Sequence, residues 1–199
     1  PVLGCRSRDA HPADAPGRTA VTLEELAVPV SRAENRAVAF TNKGAAYYYT
    51  QTHRNDHPEH AWFRGLNIAG RRVFNDYQLL VSGIPLDPES ARAVVRPDAL
   101  IRTYPSGVTE TLRLFDHVDV VEVTLTGAGD RAELRLSGDQ VKSAGSAGGL
   151  AWYVSSSGPG ATTVDYVVVG RRGERFLVAV GPSRAAARDL FDRAAMQAS

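Results

Sequence analysis

The sequence predicts an all-β protein, a sandwich or a barrel, followed by a short C-terminal helix. Between about residues 19 and 181 the apolar residues recur with a period of two, which is typical of half-buried strands. Groups of glycine, proline, asparagine and serine separate these runs at short intervals, and this spacing favours many short strands over alternating strands and helices. After Pro182 the composition changes to alanine, arginine and leucine, which favour a helix.

The predicted strands differ in how they are covered. In Arg131–Ser137 the alanine and both leucines fall on one face and the charged residues on the other, which predicts a strand with one buried face. Val73–Val81 alternates in the same way, except that Asn75 interrupts it. Val118–Leu125 and Val164–Val169 are nearly continuous runs of apolar, mostly β-branched residues, which predicts strands covered on both sides.

The C-terminal segment has the pattern of an amphipathic helix. Ser183 is in place to cap its N-terminus, and apolar residues follow at helical spacing, at Ala187, Leu190, Phe191 and Ala194. We expect this apolar face to need a partner, which suggests a linker helix toward a further C-terminal domain. The sequence therefore divides into a flexible tether (1–18), the β domain (19–181) and the linker helix (182–199).

Composition and motifs exclude several classes of function. The 23 basic and 22 acidic side chains give a net charge of +1, whereas a nucleic-acid-binding domain needs a basic surplus. The single cysteine cannot form an internal disulfide or a cysteine-based zinc cluster. The sequence has no phosphate-binding loop, no dinucleotide fingerprint and no Gly-x-Ser-x-Gly motif, and we expect no cofactor.

The N-terminus offers two interpretations. Val2-Leu3-Gly4-Cys5 is similar to the end of a bacterial lipoprotein signal, in which the cysteine is lipidated. In that case Cys5 anchors an exported protein, periplasmic or attached to the cell envelope of a bacterium. Otherwise Cys5 is a free surface cysteine in a flexible tail.

The segment Thr52–Arg64 concentrates residues that could form a site. His53, His57 and His60, with Asp56 or Glu59, could in principle bind a transition metal, but Pro58 argues against one helix that would present them together. We therefore expect no metal site here.

We expect a polar loop carrying Trp62 and Phe63 rather than a metal site, and two interpretations of these rings carry equal weight. Their rings could stack on the apolar face of a sugar while the neighbouring polar groups bind its hydroxyls. Alternatively, both rings are core residues at the start of the next strand. The triplet Tyr47-Tyr48-Tyr49 also allows two interpretations. On a strand its side chains alternate between the two faces, which predicts at least one packed tyrosine, and the alternative is a sugar-stacking surface.

Acidic residues are too common to identify a catalytic pair. A glycosidase needs two carboxyl groups held at a defined separation, and sequence spacing cannot supply that distance. The candidates are Asp76, Asp87, Glu89, Asp98, Glu110, Asp116, Asp119 and Glu122.

The segment from Phe63 to Leu125 resembles the N-terminal β-sandwich domain of glycogen-debranching (amylo-α-1,6-glucosidase-like) glycoside hydrolases of the six-hairpin (α/α)6 superfamily. The resemblance is carried by Gly65-Leu66, Arg71-Arg72-Val73-Phe74, Gly83-Ile84-Pro85-Leu86, Tyr104-Pro105-Ser106-Gly107 and Asp119-Val120-Val121-Glu122-Val123. None of these motifs is catalytic.

The resemblance implies an antiparallel, supersandwich-like β-sandwich that packs on a C-terminal (α/α)6 catalytic domain acting on α-glucan-type oligosaccharides. It implies no catalytic residue in this chain and a role in shaping the cleft of the partner domain. Relatives often carry Asp-Thr-Arg where this chain has Gly70-Arg71-Arg72, so only Arg72 is carried over, as a residue facing the cleft or the other domain.

The candidate contacts to carbohydrate or to the cleft are His53, Asp56, His60, Trp62, Phe63, Arg64, Arg72 and Tyr104. A second hypothesis is a free-standing carbohydrate-binding envelope lipoprotein, in which Trp62, Trp152 and the tyrosines form one sugar platform. A third is a complete small hydrolase that uses two of the carboxylates.

Overall fold

The structure is a computed structural model that describes residues 20–156 and 163–197. The predicted tether, including Cys5, and the Gly158-Pro159-Gly160 turn lie outside these residues. The strands are β1 (Val28–Val30), β2 (Ala37–Thr41), β3 (Ala46–Gln51), β4 (Gly65–Ile68), β5 (Arg71–Phe74), β6 (Asp76–Val81), β7 (Ile84–Pro85), β8 (Arg92–Val95), β9 (Leu100–Thr103), β10 (Thr109–Leu114), β11 (Val120–Thr126), β12 (Ala132–Ser137), β13 (Val141–Ala147), β14 (Leu150–Ser156), β15 (Val164–Arg172) and β16 (Arg175–Gly181). The helix α1 spans Arg184–Met196, and single 3-10 turns span Pro58–His60 and Pro88–Ser90.

The strands form three antiparallel sheets. One has nine strands in the order β1-β8-β9-β10-β11-β16-β15-β14-β13, one has the order β12-β6-β7, and one has the order β2-β3-β4-β5. Over the described part of the chain each sheet is open at both ends. The main core combines side chains from all three sheets, which places the nine-stranded sheet against the two smaller ones. The predicted all-β antiparallel sandwich is therefore confirmed.

The helix covers the outer face of the nine-stranded sheet. The Ser183 hydroxyl accepts a hydrogen bond from the amide of Ala186 at 3.1 Å, which confirms the predicted N-cap. Ala187, Phe191 and Ala194 are buried against residues of β11, β14, β15 and β16. This corrects the expectation that the apolar face needs a partner outside the sandwich, because the chain's own sheet already covers it. A role for 182–199 as a linker stays a prediction.

The strand patterns are largely confirmed. In β12 the alanine and Leu134 are buried, Leu136 is half-buried and the charged residues between them are exposed. Strands β11 and β15 are buried on both faces. In each strand, one face packs against the smaller sheets and the other packs against α1. The alternating run Val73–Val81 is two strands, because the chain passes at Asn75 from the four-stranded to the three-stranded sheet.

Candidate functional site

The loop between β3 and β4 separates the three histidines. His53 is buried, and its Nδ1 lies 3.1 Å from the Thr52 hydroxyl. The rings of His57 and His60 lie 4.6 Å apart near the 3-10 turn. Within the described ranges, no three His, Cys, Asp or Glu side chains come together as metal ligands.

Trp62 stands at the surface of this loop. It is 67% exposed and the neighbouring Phe63 is 46% exposed, so the alternative that both rings belong to the core is wrong. The two ring centroids lie 5.8 Å apart at an interplanar angle of 37°. The indole borders a cleft of about 700 Å³, here called the Trp62 cleft, whose polar lining includes Asn67, Arg72, Asn75, Asp139 and Gln140.

Two side chains from neighbouring strands hold the backbone on either side of the indole. Arg72 on β5 donates from Nη1 to the carbonyl of Ala61 at 2.8 Å. Asn67 on β4, which faces Arg72 in the strand register, donates from Nδ2 to the carbonyl of Phe63 at 2.9 Å. Because the carbonyls before and after Trp62 are both fixed, the backbone that carries the ring is ordered before any ligand binds, which lowers the entropic cost of binding.

A second cleft of about 580 Å³ lies where the three sheets meet, and we call it the Asp76 cleft. Its floor is a buried ionic cluster, in which Arg102 on β9 donates from Nη1 to Oε1 of Glu110 on β10 at 2.8 Å. The hydroxyls of Tyr77 and Tyr104 also donate to this carboxylate, one to each oxygen. Arg102 donates from Nε to the carbonyl of Thr52 at 2.8 Å. This cluster ties the nine-stranded sheet to the start of the β3–β4 loop.

Asp76 lies beside this cluster and faces the cleft. Its Oδ2 accepts a hydrogen bond from Nδ2 of Asn55 at 2.8 Å, and its Oδ1 accepts one from the backbone amide of Tyr77 at 2.9 Å. Burial raises the pKa of the Asp76 carboxyl, and the hydrogen bonds from Asn55 and Tyr77 only partly oppose this effect. The cleft therefore contains a carboxyl group whose ionisation is penalised by the fold.

We expect Asp76→Asn to stabilise the protein at pH 7 relative to the unmodified chain. A carboxyl with a raised native pKa binds its proton more tightly when folded, so the free energy of unfolding falls as the pH rises from the ordinary aspartate pKa of about 3.9 through the native value. The amide cannot ionise, and Asn55 can turn its side chain to accept from it. Urea denaturation from pH 3 to pH 8 should show curves that meet at the acid end and separate as the pH rises. Parallel curves would contradict the assignment.

The predicted contact residues divide between these two places. Trp62 and Arg72 line the Trp62 cleft, whereas His53, Asp56 and Tyr104 line the Asp76 cleft. The remaining contacts lie on the loop outside both linings: Phe63 and His60 pack around Tyr49, with ring centroids 6.1 and 5.7 Å from it, and Arg64 follows Phe63.

Tyr104, one of the candidate contacts, is buried. Its side chain is only 4% exposed and its hydroxyl binds Glu110, so it supports the floor of the cleft. His53 is buried as well. Burial raises the pKa of Tyr104 and lowers that of His53, and both groups are therefore favoured in their neutral forms.

The aromatic residues do not form one platform. Tyr48 is buried in the core, which confirms that at least one tyrosine of the triplet is packed. Trp152 is half-buried with the helix-side cluster, where the Arg184 guanidinium lies 5.7 Å from its ring centroid. Trp62 lies on a loop of the opposite layer, so the two indoles do not share a surface.

Several residues that line these clefts could not be identified from the sequence pattern. Nothing in the pattern marks Asn67, Asn75 or Gln140 as contacts, and the spacing does not distinguish Asp76 from the other acidic residues. One signal is present for Glu110, because it falls on the same strand face as two leucines of β10 and is buried with them.

Among the described residues, no helix combines the length and the apolar character needed to cross a bilayer. In comparisons with protein-family models, curated proteins and solved structures, nothing matches this chain. What the chain does is therefore inferred from the geometry of its own side chains.

Proposed function

We propose that the chain is a non-catalytic sandwich domain of a glycoside hydrolase acting on α-glucan-type oligosaccharides, and that it contacts the saccharide at the Trp62 cleft. The observation that carries this proposal is the exposed indole of Trp62, whose flanking backbone carbonyls accept hydrogen bonds from Asn67 and Arg72. Amide, guanidinium and carboxylate groups border the same cleft. Small-molecule sites combine aromatic surface with polar groups that fix the orientation of the ligand, and the Trp62 cleft offers both, with an unusually polar lining.

The carboxylates support a non-catalytic role. A glycosidase places two carboxyl groups on either side of the scissile bond, but Asp139 is the only carboxylate among the described residues that line the Trp62 cleft. The Asp76 cleft is lined by five acidic residues, and each already contacts the protein. Asp56 and Glu89 lie within ion-pair distance of Arg54, and Asp76 and Asp87 accept hydrogen bonds. Glu110 is buried and both of its oxygens accept hydrogen bonds from the protein. An oxygen held in this way is poorly placed to attack a sugar or to activate water.

The proposal includes a partner. The exposed rings of Trp62 and Phe63 would lie beside the cleft of a C-terminal (α/α)6 catalytic domain, as the resemblance implies, and the parent enzyme would be exported and anchored through Cys5. The alternative of a free-standing carbohydrate-binding envelope lipoprotein also uses Trp62, but without Trp152, which is placed with the helix-side cluster.

Calorimetric titration of the chain with maltoheptaose tests this proposal. We expect Trp62→Ala to weaken binding at least about tenfold, because truncating a tryptophan anchor commonly costs about 2 kcal/mol or more. The matched control is Ile84→Ala, since Ile84 is equally exposed at 70% but lines neither cleft. Unchanged affinity in Trp62→Ala, or no binding by the unmodified chain, would contradict the proposal.

A further inference from the structure

The two clefts lie on either side of one narrow ridge. Asn75 lines the Trp62 cleft, and the next residue, Asp76, lines the Asp76 cleft. The facing segment divides in the same way, because Ser137 belongs to the Asp76 cleft and Gln140 to the Trp62 cleft. The clefts are thus separated by the backbone at the point where β5 passes into β6.

The ridge is fixed and polar. The backbone amide of Asn75 donates to the carbonyl of Ser137 at 2.8 Å, and Nε2 of Gln140 donates to Oδ1 of Asn75 at 2.9 Å. These bonds join the end of β12 to the junction between β5 and β6. A ligand crossing from one cleft to the other would therefore pass over a rigid surface of amide groups.

We propose that the two clefts form one extended site, in which an uncharged oligosaccharide chain stacks on Trp62, crosses the ridge at Asn75 and places further sugar rings in the Asp76 cleft. This inference rests on the proposed function and specifies its ligand as a chain of several sugar units. Each cleft, at about 700 and 580 Å³, has the size of a complete small-molecule site, and together they exceed the needs of a disaccharide.

The polar groups of the Asp76 cleft suit sugar hydroxyls. Each oxygen of Asp76 accepts one hydrogen bond from the protein, and a carboxylate oxygen has capacity for a further donor. Gln78 is exposed at the same cleft, while Leu79 and Leu86 supply apolar wall. A pyranose offers the matching combination of hydroxyl donors and apolar ring hydrogens.

The charges of the cleft disfavour an anionic ligand. Arg102 is paired with Glu110 at 2.8 Å inside the floor. At the rim, Nε of Arg54 lies 3.1 Å from a carboxylate oxygen of Asp56 and 3.7 Å from one of Glu89. Asp76 and Asp87 also line the cleft, so its acidic residues outnumber its arginines. An anionic ligand would be repelled there, whereas an uncharged saccharide would not.

A chain-length series tests the extended site. We would titrate the chain with maltose, maltotriose and maltoheptaose, using the unmodified protein, Asp76→Ala and Gln78→Trp. We expect maltoheptaose to bind more tightly than maltose, and Asp76→Ala to weaken maltoheptaose binding about tenfold, as expected for a lost hydrogen bond to a charged group, without affecting maltose. Gln78→Trp places a bulky ring in the cleft from an exposed position. We expect it also to weaken maltoheptaose binding without affecting maltose, and it does so without removing a buried contact.

Asp189→Asn serves as the control, because Asp189 lies on the exposed face of α1. Thermal melts of each variant would establish that it is folded. Equal affinity for all three saccharides, or full maltoheptaose affinity in both cleft variants, would overturn the extended site while leaving saccharide binding at Trp62 intact. If none of the saccharides binds, the proposed function itself fails.

Discussion

Replacing Glu110 with alanine should lower the free energy of unfolding by about 3–5 kcal/mol, the usual cost of removing one partner from a buried ion pair. The guanidinium of Arg102 would stay buried without its carboxylate, and the hydroxyls of Tyr77 and Tyr104 would lose their acceptor. Urea denaturation monitored by circular dichroism at pH 7 measures this loss.

A surface pair provides the matched control. Arg135 and Glu133 also form an ion pair, with nitrogen and oxygen 2.7 Å apart, but their side chains are 59% and 53% exposed. Glu133→Ala should therefore cost no more than about 1 kcal/mol. If the two substitutions destabilise the protein equally, the buried cluster does not have the structural role assigned to it.

The same cluster shows what the sequence could predict. Glu110 falls on the same strand face as Leu112 and Leu114, and Arg102 falls on the same strand face as Leu100. The period of two therefore places both charges inside the sandwich. A charge on a buried strand face requires a partner. What the pattern could not supply is the pairing between β9 and β10 or the contribution of Tyr77, since these depend on the register of the sheets.

The helix illustrates a different limit. The near-continuous apolar runs of β11 and β15 predict coverage on both faces, and the apolar stripe of α1 predicts a buried contact. The helix supplies the second cover of these strands, and the strands supply the buried contact of the helix, because α1 packs on their outer face. Treating them separately led to the incorrect expectation of an outside partner for the helix.

The position of Trp62 could not be predicted from local sequence. It depends on Arg72 and Asn67, which bind carbonyls 11 and four residues away along the chain. Local sequence indicates an aromatic, polar loop, whereas the hairpin formed by β4 and β5 holds the backbone on both sides of Trp62.

Gly65→Ala should be among the most destabilising single changes in the chain, at about 3–5 kcal/mol, because backbone strain and overpacking add together. Gly65 has φ = +83°, and a Cβ atom there would lie 1.9 Å from the carbonyl oxygen of Phe74 and 2.6 Å from that of Asn75. These are backbone atoms of the neighbouring strand end, so no side-chain rotation can relieve the overlap. Chemical denaturation of the purified variant gives the change directly.

Gly70→Ala separates the two causes. Gly70, in the turn between β4 and β5, has a similar φ of +77°, but a Cβ atom added there would have no neighbouring atom within 4 Å. It should therefore cost only about 1 kcal/mol, the strain of a left-handed backbone. Equal losses for both variants would show that strain, not overlap, dominates at Gly65. Because the overlap falls on Asn75, the residue between the two clefts, Gly65→Ala should also weaken maltoheptaose binding in the protein that remains folded.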